Sequence, residues 1–302
     1  AATKSPMRRD LYFRIGSNTK TFTITVLLQL AGEKKLNLDD PVSKYAPFVP
    51  NGSHITLRML ANMTSGLFNY TEDETFVKQL LVDPDRVYSP RQLVDIGLAH
   101  KPYFAPNTGW HYSNTNTVLL GTIIEQVTGR KIGDVFAERL FKPLGLENTI
   151  WPANGTMPEP YANGITEQTP GGRPADATHW NPSWAFTAGA LISTLDDMRT
   201  WVDSYTAGSL ISPAMQQERL TWVTLPPNTP VRKYGLGIGV DHGWLGHTGE
   251  LPGYNTAGYR FQPKNITVVI MVNSDISKQN VNPAPALFKA IAKILTPNNI
   301  PT

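Results

Sequence analysis

Apolar residues recur at three- and four-residue steps from Asn18 to Gly32. Phe22, Val26, Leu27 and Leu30 share one side, which predicts a helix that Gly32 closes. Ser17 stands just ahead of it, where the first backbone amides lack intrahelical partners. Asp39 to Pro50 is punctuated by Pro and reads as loop with short turns. Ile55 to Met63 and Pro90 to His100 predict short amphipathic helices, and Asn116 to Gly129 a longer one entered from Ser113-Asn114-Thr115. Gly and Pro are dense from Trp151 to Pro182, a long surface excursion, and helix-compatible spacing returns from Phe186 to Tyr205. After Lys233 the period changes. Tyr234 to Val240, Trp244 to His247, Asn255 to Phe261 and Ile266 to Asn273 are short segments rich in aromatic and β-branched residues, and read as consecutive antiparallel strands. Pro285 to Leu295 predicts a closing amphipathic helix carrying Leu287, Phe288, Ile291, Ile294 and Leu295. The expected fold is α/β (α+β): an antiparallel sheet flanked by helices, plus a mostly helical lobe. Residues 1–44 and 185–302 would build the α/β lobe and 45–184 the helical one, with a cleft between them.

At 302 residues, with 40% hydrophobic and 17% charged, the chain is able to bury a core and is not a disordered protein. A net charge of +3 without like-charge runs predicts no nucleic-acid partner. Zero Cys excludes a disulfide scaffold and a thiol nucleophile. The longest apolar runs, such as Ile266 to Val272, are far short of the ~18 residues a membrane span needs. No Gly-x-Ser-x-Gly elbow or His-Glu-x-x-His motif occurs, and His242 with His247 lacks a third ligand, so no metal is expected. Gly235-x-Gly237-x-Gly239 follows no βαβ unit and reads as close-packed strand backbone.

Three short stretches carry candidate chemistry. In Ser17-Asn18-Thr19-Lys20 a three-residue helical step puts hydroxyl and amine on one face, although such a pair arises by chance about once in a chain this long. In Tyr112-Ser113-Asn114 a phenol would relay a proton if a nearby ammonium lowered its pKa, while the Asn amide would meet a substrate amide. In His247-Thr248-Gly249, at a strand end, the Gly admits substrate backbone to the edge.

In this order the three stretches resemble the serine penicillin-recognising hydrolases, a family of class C β-lactamases, DD-peptidases, D-aminopeptidases and related esterases. Phe13-Arg14-Ile15-Gly16, Leu36 to Pro41, Met63 to Leu67, Pro143 to Leu146, Ala188 to Thr194 and Tyr234 to Gly237 extend the resemblance over almost the whole chain. His-Thr-Gly in place of Lys-Thr-Gly is most similar to the serine DD-carboxypeptidase branch. The resemblance implies a β-lactamase/transpeptidase-like fold and a cofactor-free acyl-enzyme mechanism. Ser17 would be the nucleophile, Lys20 its activating amine and Tyr112 a proton shuttle. Asn114 would hold the acyl-side amide, with His247 and Thr248 on the opposite wall. The amides of Ser17 and Glu250 would form the oxyanion hole, and Trp184 would flank the cleft. Whether Lys or Tyr first deprotonates the Ser stays open. The substrate would be a small molecule or peptide: a D-amino-acid peptide, a β-lactam-like amide or, alternatively, a carboxylic ester. A catalytically vestigial binding or scaffold protein is the reading from another class. Export from the cytoplasm is implied too, and oligomeric state is left open.

The sequence departs from the family at two places. Where the carboxypeptidases carry an Arg that pairs with the substrate carboxylate, this chain reads Gly237-Ile238-Gly239-Val240-Asp241, and Glu250 replaces the usual small hydroxyl residue. A carboxylate there repels a substrate carboxylate and favours neutral or cationic ends, unless Arg260 or Lys233 folds near the cleft. Only sixteen residues precede Ser17, so the lobe's N-terminal strands are missing from this stretch and a preceding segment is expected.

Overall fold

A computed structural model describes residues 6–226, 231–279 and 281–302. Strand β1 (Phe13–Arg14) leads through a 3-10 turn (Gly16–Asn18) into α1 (Thr19–Gly32). Then come α2 (Leu57–Ala61), α3 (Glu74–Val82), α4 (Pro90–Leu98), α5 (Asn114–Thr128), α6 (Ile132–Phe136) and α7 (Lys142–Leu144). A small ladder of β2 (Ile165–Thr166) and β3 (Ala175–Asp176) interrupts the long excursion. It is followed by α8 (Phe186–Gly189), β4 (Ile192–Ser193), α9 (Leu195–Ala207) and α10 (Pro213–Arg219). The chain closes with β5 (Val223–Thr224), β6 (Arg232–Tyr234), β7 (Gly239–Asp241), β8 (Trp244–Leu251), β9 (Tyr254–Phe261), β10 (Ile266–Val272) and α11 (Pro283–Leu295). Strands β5 to β10 form one antiparallel meander in sequence order, as the run of short strands predicts. The mixed helix and sheet architecture agrees with the expected fold class.

Helix α1 shows no polar face. Its apolar residues from Phe22 to Leu30 are buried, and so are Thr19, Thr21, Thr23 and Thr25. Burial is tolerated because their hydroxyls find acceptors: Thr21 bonds Asn18 O at 2.6 Å, Thr25 bonds Thr21 O at 2.6 Å and Thr23 bonds Thr187 O at 2.9 Å. Phe22 stacks on Trp201 of α9 with ring centroids 3.7 Å apart, while α5, α8 and α10 cover other sides. The helix is thus held all round, which fixes Ser17 and Lys20 at its start.

Successive residues of β9 point to opposite faces of the sheet. A Cβ on Gly258 would press on Val202 of α9, whereas Tyr259 stacks on Phe288 of α11 at 4.3 Å, so the two helices cover opposite faces.

Two expected elements are divided. The helix-compatible stretch Phe186 to Tyr205 contains α8, then β4, then α9. Its break is tertiary in origin: Ile192 and Ser193 pair with Arg14 and Phe13, and Ile15 N bonds Leu191 O at 3.0 Å. The strand expected over Tyr234 to Val240 is interrupted because Leu236 N and Gly237 N instead bond the carbonyls of Arg219 and Ala61, at the ends of α10 and α2. Helix α2 is shorter than the pattern from Ile55 to Met63, and β8 continues past His247 to Leu251.

Candidate active site

Ser17 lies on the 3-10 turn that feeds α1, and strands β8 and β9 pin that turn. Asn18 Nδ2 donates to Thr256 Oγ1 at 2.9 Å, and the Thr256 hydroxyl donates to Ile15 O at 3.0 Å. Two glycines permit the approach. Gly16 has φ +52° and a Cβ on it would collide with the backbone of Glu250; a Cβ on Gly249 would strike Ile15 O. The backbones of Ser17 and Glu250 are therefore neighbours at the start of α1, the positive end of its dipole.

Lys20 is fully buried. Its Nζ is 3.0 Å from Ser17 Oγ, 2.6 Å from Asn114 Oδ1 and 2.8 Å from Ala188 O. Among the described residues no carboxylate pairs with it, and burial pushes its pKa well below the usual lysine range. The amine stands 4.7 Å from the centroid of the Tyr112 ring. The Tyr112 hydroxyl is buried and has no hydrogen-bond partner of good geometry among the described residues. Burial raises the phenol's pKa, and a weaker pull from Ser17 opposes the rise. This corrects the expectation that Lys20 lowers it: the amine faces the ring rather than the oxygen, and desolvation dominates.

His247 is committed at both ring nitrogens. Nδ1 lies 2.5 Å from Thr248 O, which only accepts, so Nδ1 carries the proton; Nε2 then accepts from Tyr234 OH at 3.0 Å. Burial first, then the nearby Lys20 charge, push its pKa down to about 4, and it is neutral at pH 7.

Ser17 opens on a cavity of about 320 Å³ lined by Asn69, Thr71, Asn114, Gln168, Trp184 and Glu250. His247 and Thr248 line a second one of about 190 Å³ with Trp110, Lys233, Tyr234 and Tyr259. Tyr112 borders both. Of the two cations considered for the cleft, Lys233 reaches this second cavity, whereas Arg260 is bound to Asp203, Asn265 and Thr267. A larger hollow, about 420 Å³, is remote from Ser17, and Arg58 on its wall is paired with Asp39 and Glu218.

Glu250 is exposed at the mouth of the Ser17 cavity, where Asn282 donates to its carboxylate. Desolvation by the surrounding wall, and then the charge of Asp275, raise its pKa. Asp275 is buried and accepts from Thr166 Oγ1 at 2.8 Å and from Gln168, and its Oδ1 has no hydrogen-bond partner among the described residues. Neither carboxylate has an ion-pair partner among the described residues.

Several site residues carry no sequence signal. Ala188 contributes only a carbonyl, and Asn69 and Thr71 sit in a plain Asn-x-Thr triplet. Asn69 Oδ1 accepts from Asn114 N at 2.9 Å, and Thr71 Oγ1 accepts from Asn114 Nδ2 at 3.0 Å. Tyr70 holds Trp184 in place through a 2.6 Å bond to its carbonyl.

The chain is similar to a D-stereospecific amidohydrolase from Streptomyces sp., with 37% identity, a TM-score of 0.84 and coverage of 88% of this chain and 83% of that one. A D-amino acid amidase from Ochrobactrum anthropi SV3, complexed with L-phenylalanine amide, superposes with a TM-score of 0.85 at 27% identity, covering 97% and 85% of the respective chains. A D-aminopeptidase of Brucella anthropi is 26% identical over 278 residues, 90% of this chain and 51% of that protein. The chain spans between about half and two thirds of the length of the curated relatives it matches. Residues 1–292, which include every residue of the constellation around Ser17, match the family described as Beta-lactamase, and the chain belongs to that family.

Proposed function

We propose that the protein is a serine hydrolase that forms an acyl-enzyme on Ser17 and cleaves amides of D-amino acids or short D-peptides. The observation that carries this reading is the buried Lys20 amine, paired with no carboxylate among the described residues and 3.0 Å from Ser17 Oγ. A neutral Lys20 takes the Ser17 proton as Oγ attacks the carbonyl carbon. The amides of Ser17 and Glu250 hold the resulting oxyanion. Tyr112, kept as a neutral phenol, gives its proton to the leaving nitrogen as the C–N bond breaks, and the Lys20 ammonium, drawn from the ring face to the phenolate oxygen so formed, returns a proton to it. Water then attacks the ester by the reverse relay, releasing the acid and Ser17.

The D-amino-acid preference is supported by the names of the similar proteins. Charge supports the choice of substrate end. Glu250 and Asp275, without ion-pair partners among the described residues, favour a substrate that presents its free α-ammonium on the acyl side. The aromatic cavity beyond Tyr112, with Trp110, Tyr234 and Tyr259, suits an amine leaving group of some bulk.

The test compares D-phenylalanine p-nitroanilide, its L enantiomer and its N-acetyl derivative. The expected order has the free D compound first, N-acetylation costing tenfold or more, and Glu250→Gln narrowing that gap; ~1.4 kcal/mol is a tenfold change. A mass increase on the Ser17 peptide after quenching, or after a fluorescent penicillin, identifies the acyl-enzyme. Turnover of p-nitrophenyl esters without amide cleavage favours an esterase, and full activity of Ser17→Ala favours a scaffold.

A further inference from the structure

Resting on the reading of Lys20 as base, one hydrogen-bond chain behind the amine has a direction that follows from its far end. The backbone N–H of Asn114 only donates and points at an Asn69 side-chain atom 2.9 Å away, so that atom is Oδ1. Asn69 Nδ2 then faces Glu72 Oε1 at 3.0 Å, a carboxylate oxygen that accepts. Thr71 Oγ1, 3.0 Å from the same Asn69 Oδ1, gives its single hydrogen there. Toward Asn114 the hydroxyl has only lone pairs left, so it accepts from Nδ2 at 3.0 Å, which turns the Asn114 oxygen to Lys20, 2.6 Å from Nζ. Ala188 O takes another N–H at 2.8 Å. A neutral amine has two hydrogens and one lone pair. With both hydrogens engaged, the lone pair faces Ser17 Oγ at 3.0 Å and the Ser17 hydroxyl donates to it.

We propose that Thr71 is a positioning residue whose hydroxyl holds Asn114 in the one amide orientation that aims the Lys20 lone pair at Ser17. Without that hydroxyl the amide is released to turn and offer its NH₂ to Lys20. The lone pair is then occupied, the neutral amine is favoured further, and Ser17 loses its acceptor. Activity and the acid limb of the pH profile therefore move together, which a packing defect does not produce.

The experiment follows the intact protein on D-phenylalanine p-nitroanilide across pH. Thr71→Val is expected to lower kcat about ten- to a hundredfold, toward the lower end of what a positioned base contributes. The acid limb of kcat/KM moves to lower pH, and Thr71→Ser, which keeps the hydroxyl, restores both rate and profile. If Thr71→Val does not fold, judged by circular dichroism, Thr71→Ala carries the same expectation. An unmoved acid limb, a rate within twofold of wild type, or a Ser variant as impaired as the Val variant each overturn the proposal. Ser17→Ala, run in parallel, separates the two readings: if it keeps wild-type turnover, the nucleophile assignment fails whatever Thr71 does.

Discussion

Tyr112→Phe separates catalysis from stability. The hydroxyl is buried between the two cavities and makes no hydrogen bond of good geometry to any described residue. A buried polar group in that state costs about 1–3 kcal/mol, and its deletion leaves a ring of nearly the same shape against Tyr234 and His247. Stability should stay level or rise by about 1 kcal/mol, a gain of roughly 2 °C in Tm for a chain of this size. Activity should move the other way. Loss of a positioned proton donor lowers amide turnover by about 10²–10⁴, because an amine must leave protonated. A p-nitrophenyl ester, whose phenolate departs as an anion, should lose far less. Thermal melts and kcat/KM on the paired anilide and ester test this directly. Equal losses on both substrates, or a Tm fall of more than about 3 °C, would show that the hydroxyl serves the fold and not the leaving group.

Other perturbations follow from the same geometry. Because burial depresses the Lys20 pKa, kcat/KM for the anilide should rise with pH as the amine loses its proton and level off well below ~10.4, the free-lysine value; a rate still climbing beyond it contradicts Lys20 as base. His247, with its pKa lowered to about 4, binds fewer protons in the folded than in the unfolded chain between about pH 4 and pH 6.5. Stability present above pH 6.5 is therefore lost as pH falls through that window, by up to about 3 kcal/mol; denaturant midpoints that do not fall, or a His247→Gln variant with the same slope, refute it. Gly16→Ala forces φ +52° on a residue with a Cβ and pushes that atom into the Glu250 backbone. Separating the two amides should cost about 10²–10³ in kcat with the protein still folded, and an unchanged kcat would remove them from oxyanion binding.

What the sequence discloses about the site is mostly local. Ser17 and Lys20 are legible because three residues on a helical path set their spacing, and the terminal meander because its strands follow one another in order. The Tyr112 and His247 stretches acquire meaning only in combination with the first. The break inside Phe186 to Tyr205 is not legible, because its cause is β1, nearly two hundred residues away. Thr71, Asn69 and the Ala188 carbonyl escape notice for a related reason: one is an ordinary hydroxyl, one an ordinary amide, and the third has no side-chain signature. The direction of the Tyr112 shift is likewise beyond sequence, because it turns on whether the amine meets the oxygen or the ring face.

The bonds from Asn18 and Ile15 to Thr256 span 238 and 241 positions of sequence. A polypeptide emerging from the ribosome only as far as α9 already holds its hydroxyl and amine, yet lacks the strand against which they are set. On the proposed mechanism, synthesis must pass Thr256 before turnover begins. In a refolding experiment, returning activity would mark the moment when Ile15 and Asn18 meet Thr256, later than any helix signal.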